Sequence, residues 1–229
     1  VPKAGTESKY MKKYEHDKSN PYYAALLQSL DEGIGRLLQQ LKSDGILNNT
    51  IIVFTSDNGG VVVDELGFTP TNLSPLKDGK GSLYEGGIRI PAIISWKNKI
   101  QANQTSDFYF SNVDYFSTLL HAANIDYTNM PTDSKNQLSA LTGETKTNLN
   151  DTLFWHYPHF SNQGGRPASA IRIGNYKLIY KYEGPKIELY NLQNDIGETK
   201  NISKKEIKKT KELLQALKKM ESITHAELP

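Results

Sequence analysis

Residues 50–60 read Thr50-Ile51-Ile52-Val53-Phe54-Thr55-Ser56-Asp57-Asn58-Gly59-Gly60. The first six are almost all β-branched or aromatic and carry no polar alternation, which predicts a strand buried on both faces. The chain then shrinks abruptly to Asp, Asn and two glycines, which predicts a turn. Upstream, Asn20-Pro21 reads as an N-cap followed by proline at the first helical position. Leu26, Leu27, Leu30, Ile34, Leu37, Leu38 and Leu41 recur at threes and fours, marking one apolar helix face, and Gly45 after Ser43-Asp44 suits a C-cap. A helix, a short turn and a buried strand make half of a βαβ unit, so an α/β fold with a parallel sheet covered by helices is expected.

Downstream, a long loop is expected from Ser56 to about Arg89, followed by a strand over Ile90–Trp96 with Pro91 near its start. Val113–Ala123 predicts a short helix with Phe116, Leu119 and Leu120 inward. Residues 126–150, rich in Asn, Thr, Ser and Asp, read as a boundary loop. Beyond it the texture changes to short strands at Leu153–Trp155, Ser169–Ile173, Tyr176–Tyr182 and Ile187–Leu192, with Gly174-Asn175 as a hairpin signal. A helix is expected over Lys204–Met220. This organisation predicts an α/β part over residues 1–148 and a small α+β subdomain, with an antiparallel sheet and a C-terminal helix, over 149–229.

Composition narrows the functional classes. The chain has 229 residues, 27 Lys plus Arg against 25 Asp plus Glu, and a formal charge of +2. That balance gives no support for nucleic-acid binding. Seven lysines between Lys204 and Lys219 alternate with Leu213, Leu214 and Leu217 at helical spacing, so a solvated helix face is expected there rather than an anion contact. No cysteine is present, which excludes disulfides, thiolate metal sites and cysteine nucleophiles within this chain. No apolar run reaches the ~20 residues of a membrane-spanning helix. The chain opens at Val1 in a polar stretch with neither methionine nor signal peptide, so its true beginning is expected to have been removed.

Two stretches carry chemistry. Asp57 offers carboxylate oxygens and Asn58 an amide oxygen at the carboxyl end of a strand, where open α/β sheets place their ligands. Adjacent hard oxygens on a glycine-rich loop suit Ca²⁺ or Mg²⁺, although Asp-Asn-Gly is also ordinary turn chemistry. The second stretch is Pro75-Leu76-Lys77-Asp78-Gly79-Lys80-Gly81-Ser82-Leu83-Tyr84-Glu85-Gly86-Gly87-Ile88-Arg89-Ile90-Pro91. Lys80, between two glycines, is a point charge able to approach a tetrahedral oxyanion, and Glu85 and Arg89 are spaced to pair.

Taken in this order, 80 − 57 = 23 residues apart, the two stretches resemble the type I sulfatases of the alkaline-phosphatase-like superfamily. In that family a strand ends in Asp-Asn-Gly and a Gly-Lys-Gly-X-X-Tyr-Glu-Gly-Gly-X-Arg-X-Pro stretch follows. The upstream helix through Tyr23–Glu32 fits the same pattern, as do Ala170–Ile179, Glu188–Leu192 and Asp195-Ile196-Gly197-Glu198-Thr199. The resemblance covers about residues 10–203. It implies part of an alkaline-phosphatase-like mixed sheet, with Asp57 and Asn58 as ligands of one Ca²⁺ ion completed from outside this chain. It also implies that Lys80 contacts the sulfate. The family's nucleophile, a formylglycine made within a Cys/Ser-X-Pro/Ala-X-Arg motif, has no counterpart here. The early Asp-Asp ligands are absent too. The resemblance therefore implies a carboxy-terminal portion whose partner is the missing amino-terminal part of the same protein, and it implies a periplasmic or secreted location.

The substrate class implied is a sulfate ester, most simply a sulfated carbohydrate. Trp155-His156-Tyr157-Pro158-His159-Phe160 and the following Asn162–Arg166 supply histidines, rings and a guanidinium suited to a sulfated sugar, with His156 and His159 as candidate contacts. The loop from Asp64 to Lys77 adds Asn72 and Lys77. A phosphatase or phosphonate hydrolase of the same superfamily, and a non-catalytic sulfated-glycan binding module, remain alternatives at this point.

Overall fold

The computed structural model of the chain describes residues 5–13, 21–63, 71–145, 151–184 and 186–229. The expected cap at Asn20, the loop residues 64–70, the boundary-loop residues 146–150 and Pro185 lie outside them. Two compact units are present. The first comprises Val1–Ile94, His159–Arg166 and Ile196–Thr199; the second comprises Ser95–Pro158, Pro167–Asp195 and Lys200–Pro229.

The first unit opens with α1 (Thr6–Lys13) and α2 (Pro21–Ser43), which pack on each other. Helix α2 begins at Pro21, whose ring presets the helical φ and whose missing N–H has no partner to lose there. It ends in a paired motif in which Gly45 N donates to Lys42 O (3.1 Å) and Ile46 N to Leu41 O (3.1 Å), with Gly45 at φ +72°. These are the two hydrogen bonds of a Schellman C-cap, and glycine adopts the left-handed angle without strain. A 3-10 turn (Leu47–Asn49) leads into strand β1 (Ile51–Thr55), which pairs with β2 (Ala92–Trp96) in a two-stranded sheet.

Burial here departs from the pattern. On α2 only Ala25 is buried, while Leu26, Leu27, Leu30 and Leu37 are 41%, 46%, 49% and 59% exposed. Strand β1 is half-buried along its whole length rather than enclosed. A two-stranded sheet lacks the flanking strands and covering layers that enclose a central strand, so the apolar sequence of β1 exceeds what its surroundings bury.

In the second unit β3 (Thr152–Tyr157), β4 (Ala168–Ile173), β5 (Tyr176–Lys181) and β6 (Lys186–Asn191) form an antiparallel meander in that order. Ile173 faces Tyr176 across a two-residue loop whose first member, Gly174, has φ +55°. The pairings Ile171↔Leu178 and Leu178↔Leu189 line three fully buried side chains across adjacent strands. Leu213 and Leu217, four apart on α6 (Ile207–Ile223) and also fully buried, close that row from above. Each such side chain contributes roughly 1.5–3 kcal/mol by leaving water. Helix α6 starts three residues later than its periodicity implies because Lys205 N and Glu206 N both return to Ile202 O, at 2.9 and 2.8 Å, in a separate turn.

The helix α4 (Asp114–Ala122) corrects the sequence expectation about its inner face. Phe116 and Leu119 are exposed, whereas Asp114, Ser117 and Thr118 are buried. The reason is polar docking. Asp114 Oδ1 accepts from Lys135 N (2.9 Å), Ser117 N donates to Ser134 Oγ (2.9 Å), and Thr118 Oγ1 accepts from Gln137 N (3.0 Å). Part of the expected boundary loop is helical, in α5 (Leu138–Leu141). Among the described residues no helix is long and apolar enough to cross a membrane.

Candidate functional site

Strand β1 delivers Ser56-Asp57-Asn58-Gly59-Gly60 as a tight loop. Asp57 Oδ1 accepts from Asn58 N (3.0 Å), and Ser56 Oγ donates to Asn58 O (2.9 Å). The Asn58 amide donates through Nδ2 to Gly59 O (2.8 Å). With that amide nitrogen committed as a donor, the side-chain oxygen of Asn58 is the acceptor left on its amide. Asp57 is exposed and Asn58 half-buried, so both donors are accessible.

A second loop, 77–87, is closed at its base by Gly86 N donating to Lys77 O (2.9 Å) and leads into the single-turn helix α3 (Glu85–Ile88). Two backbone hydrogen bonds stitch it to the first. Lys80 N donates to Gly60 O, and Gly59 N donates to Gly87 O, each at 2.9 Å. The backbones approach so closely that a Cβ on Gly59 would stand 1.7 Å from Gly86 O, and one on Gly79 would stand 2.4 Å from Gly60 O. No side chain fits at either position. Asp57, Asn58 and Lys80 are thereby held on adjoining loops of the first unit.

The other candidates fall in different settings. Lys77 donates to the carbonyl of Glu198 (3.3 Å) and lies 3.9 Å above the Tyr84 ring. Asn72 is exposed, and its side-chain oxygen accepts from Ser74 N (3.0 Å). His159 is exposed at the start of the 159–166 segment, which belongs to the first unit. That segment abuts the lysine loop directly, because a Cβ on Gly165 would stand 1.8 Å from Gly81 O and one on Gly81 would stand 2.7 Å from Ser161 Oγ. His156 belongs to the second unit. Its Nε2 donates to Glu227 O (2.7 Å), and its Nδ1 lies 2.7 Å from Ser169 Oγ. The expected pairing of Glu85 with Arg89 is present at 3.6 Å.

For a divalent cation the donor chemistry fits but the donor number does not suffice. Among the described residues no group of three or more His, Cys, Asp or Glu side chains comes together. Asp57 and Asn58 supply hard oxygens of the kind Ca²⁺ takes, whereas six to eight are needed. They fit as one part of a coordination shell. Around the two loops, the sequence marked Asn162–Arg166 but not the approach of its turn to Gly81, and it did not single out Glu198, which is fully buried and accepts from Glu85 N. The only signal for Glu198 was its place in Asp195-Ile196-Gly197-Glu198-Thr199, which carries no indication of its partner.

Comparison with known proteins gives a consistent result. The family model described as Sulfatase matches residues 3–125, and that described as N-sulphoglucosamine sulphohydrolase, C-terminal, matches residues 78–225. A sulfatase of Formosa agariphila is 35% identical over 88% of this chain and 39% of its own length. The N-acetylglucosamine-6-O-sulfatase of Bacteroides thetaiotaomicron is 32% identical over 85% of this chain and 34% of its own. Among solved structures, Ps i-CgsB superposes with a TM-score of 0.80 at 27% identity, covering 96% of this chain and 46% of that one. Its complex with k-i-k-neocarrahexaose superposes at 0.79. The chain thus spans between a third and a half of the length of each of these proteins.

Proposed function

We propose, from the premise that this chain belongs to the sulfatase family, that the intact protein hydrolyses sulfate esters of a carbohydrate. The observation that carries this reading is the backbone bond between Lys80 N and Gly60 O, which joins the lysine loop to the Asp57-Asn58 loop. In this reading residues 1–148 are the carboxy-terminal part of the catalytic α/β domain, and 149–229 are the small subdomain attached to it. Lys80 is the fixed cation for the sulfate oxygens. A charge held in place before the reaction needs no reorganisation as negative charge builds on the leaving group. Asp57 and Asn58 would supply part of the coordination shell of a Ca²⁺ ion, which when bound would add positive charge at the sulfate. The nucleophile comes from residues this chain does not contain, a formylglycine in the amino-terminal part.

A sugar is favoured as substrate by the names of the relatives, one an N-acetylglucosamine-6-O-sulfatase and one crystallised with an oligosaccharide. Asn72 and His159, both exposed, are assigned to the sugar side. Lys77 and His156 would have to leave their present partners to reach a ligand. The test is release of inorganic sulfate by the intact protein from a panel of sulfated mono- and oligosaccharides, with the matched phosphate esters in parallel. Sulfate release at least a hundredfold faster than phosphate release supports the reading. Faster phosphate release, or release of neither, overturns it.

A further inference from the structure

We propose that Glu198 is a positioning residue that fixes the Lys80 loop from beneath. Its segment, Ile196–Thr199, joins the first unit although the residues on either side belong to the second. Glu198 is fully buried and has φ +50°. A residue with a Cβ occupies that left-handed region only where its surroundings over-determine it. A buried carboxylate must likewise be met by hydrogen-bond donors.

What Glu198 grips is informative. Its Oε2 accepts from Glu85 N at 2.6 Å, and its own carbonyl oxygen accepts from Lys77 Nζ at 3.3 Å. Lys77 opens the loop that carries Lys80 and Glu85 begins the helical turn on its far side, and Gly86 N donating to Lys77 O closes the same base at 2.9 Å. One residue therefore holds both sides of the Lys80 segment. Gly197 runs close alongside, since a Cβ there would meet Pro75 O at 2.7 Å. With the base immobilised and the tip tied to Gly60, the Lys80 backbone has little freedom left. Rate is sensitive to that freedom, because a misplacement of about 1 Å can cost about a hundredfold.

The consequence for catalysis rests on the proposed function; the consequence for loop order does not. The test pairs Glu198→Gln, which keeps an acceptor for the Glu85 amide, with Glu198→Leu, which removes it at similar size. In the 229-residue chain, amide hydrogen exchange over residues 77–87 should rise about tenfold or more in Glu198→Leu and stay within about threefold of wild type in Glu198→Gln. Exchange in β4–β6 and α6 should be unchanged in both. In the intact protein, Glu198→Leu should lower kcat about tenfold or more with KM nearly constant, and Glu198→Gln should retain most activity. Should Glu198→Leu fail to fold, Lys77→Met removes the other tie and should give the same localised rise in exchange. Unchanged exchange over 77–87, a rise shared equally by β4–β6, or a Glu198→Gln as damaging as Glu198→Leu overturns the proposal. An intact protein that releases no sulfate would defeat the functional reading while leaving the exchange result to decide the role of Glu198.

Discussion

Lys80 N donates to Gly60 O at 2.9 Å, so the loop that carries the lysine and the loop that carries Asp57 and Asn58 are joined backbone to backbone. Main-chain hydrogen bonds depend on no side-chain rotamer. The spacing of the two motifs is therefore maintained by geometry that only glycine at Gly59 and Gly79 permits.

Gly79→Ala tests that geometry. Its new Cβ would meet Gly60 O at 2.4 Å and a Val62 methyl at 2.8 Å. Overpacking of this kind costs about 1–3 kcal/mol. Amide exchange should quicken at residues 57–60 and 79–87 while the β3–β6 meander keeps its protection. In the intact protein sulfate-ester turnover should fall about tenfold or more.

Calcium binding by the 229-residue chain should be weak, with Kd about 1 mM or above, because two side chains leave most of the shell to water. Calorimetry finding Kd tighter than about 0.1 mM would show that this chain holds more of the site than Asp57 and Asn58. In the intact protein Asp57→Ala and Asn58→Ala should each weaken binding by about tenfold or more, with loss of activity reversed in part by raised Ca²⁺.

The second unit should show a stability plateau in pH. Tyr182 OH, just after β5, donates to Glu221 Oε1 and ties α6 to that turn, while Lys218 Nζ, on α6 itself, donates to Glu221 Oε2 at 2.8 Å. Burial alone would raise the Glu221 carboxyl, but hydrogen bonds from Lys218, Tyr182 and Ser169 outweigh it and hold it below its usual value. Its contribution is present above the unfolded carboxyl value, about 4.3, and is lost as pH falls through the lower folded value. Burial and the Glu221 bond push the Tyr182 phenol up, so its contribution is present below about pH 10 and is lost as pH rises beyond that. Urea midpoints followed by circular dichroism should be flat between about pH 5 and 9. Tyr182→Phe removes a donor to Glu221 and should move the acid-side loss to higher pH.

Much of this was legible in the sequence because it depended on neighbours. The Schellman cap at Gly45, the two-residue hairpin at Gly174-Asn175 and the Leu213–Leu217 stripe follow from local turn chemistry and periodicity. The polar inner face of α4 was not legible. Periodicity counts apolar residues, and Phe116 and Leu119 outweighed the pairing of Asp114, Ser117 and Thr118 with residues 134–137. Within the site, Asp57, Asn58 and Lys80 stood out through motif order. Glu198 did not, since its partner Glu85 is 113 residues away and a buried acceptor for a backbone amide leaves no local pattern. The Gly165 approach to Gly81 was hidden for the same reason.

Helix α2 yields a further test. Leu26, Leu27, Leu30 and Leu37 remain between two fifths and three fifths exposed, an apolar stripe of the kind that marks an interaction surface. The isolated chain should bind an apolar dye and self-associate at micromolar concentration. Leu27→Lys with Leu30→Lys should reduce both without changing the circular dichroism spectrum. A monomeric, dye-inert wild-type chain would contradict this.

The most direct measurement of the central claim is kcat/KM for a sulfate ester in the intact protein carrying Lys80→Ala. A compact ammonium fixed between Gly79 and Gly81 should stabilise the charge that develops as the S–O bond breaks more than it stabilises the bound ester. The account predicts a fall of roughly 10²–10³, the range for removal of one preorganised donor, with protection of residues 77–87 retained. Lys80→Arg should restore little, because a planar fork does not occupy the place of a point charge. A Lys80→Ala protein that is folded and lies within about twofold of wild type in kcat/KM would contradict the account.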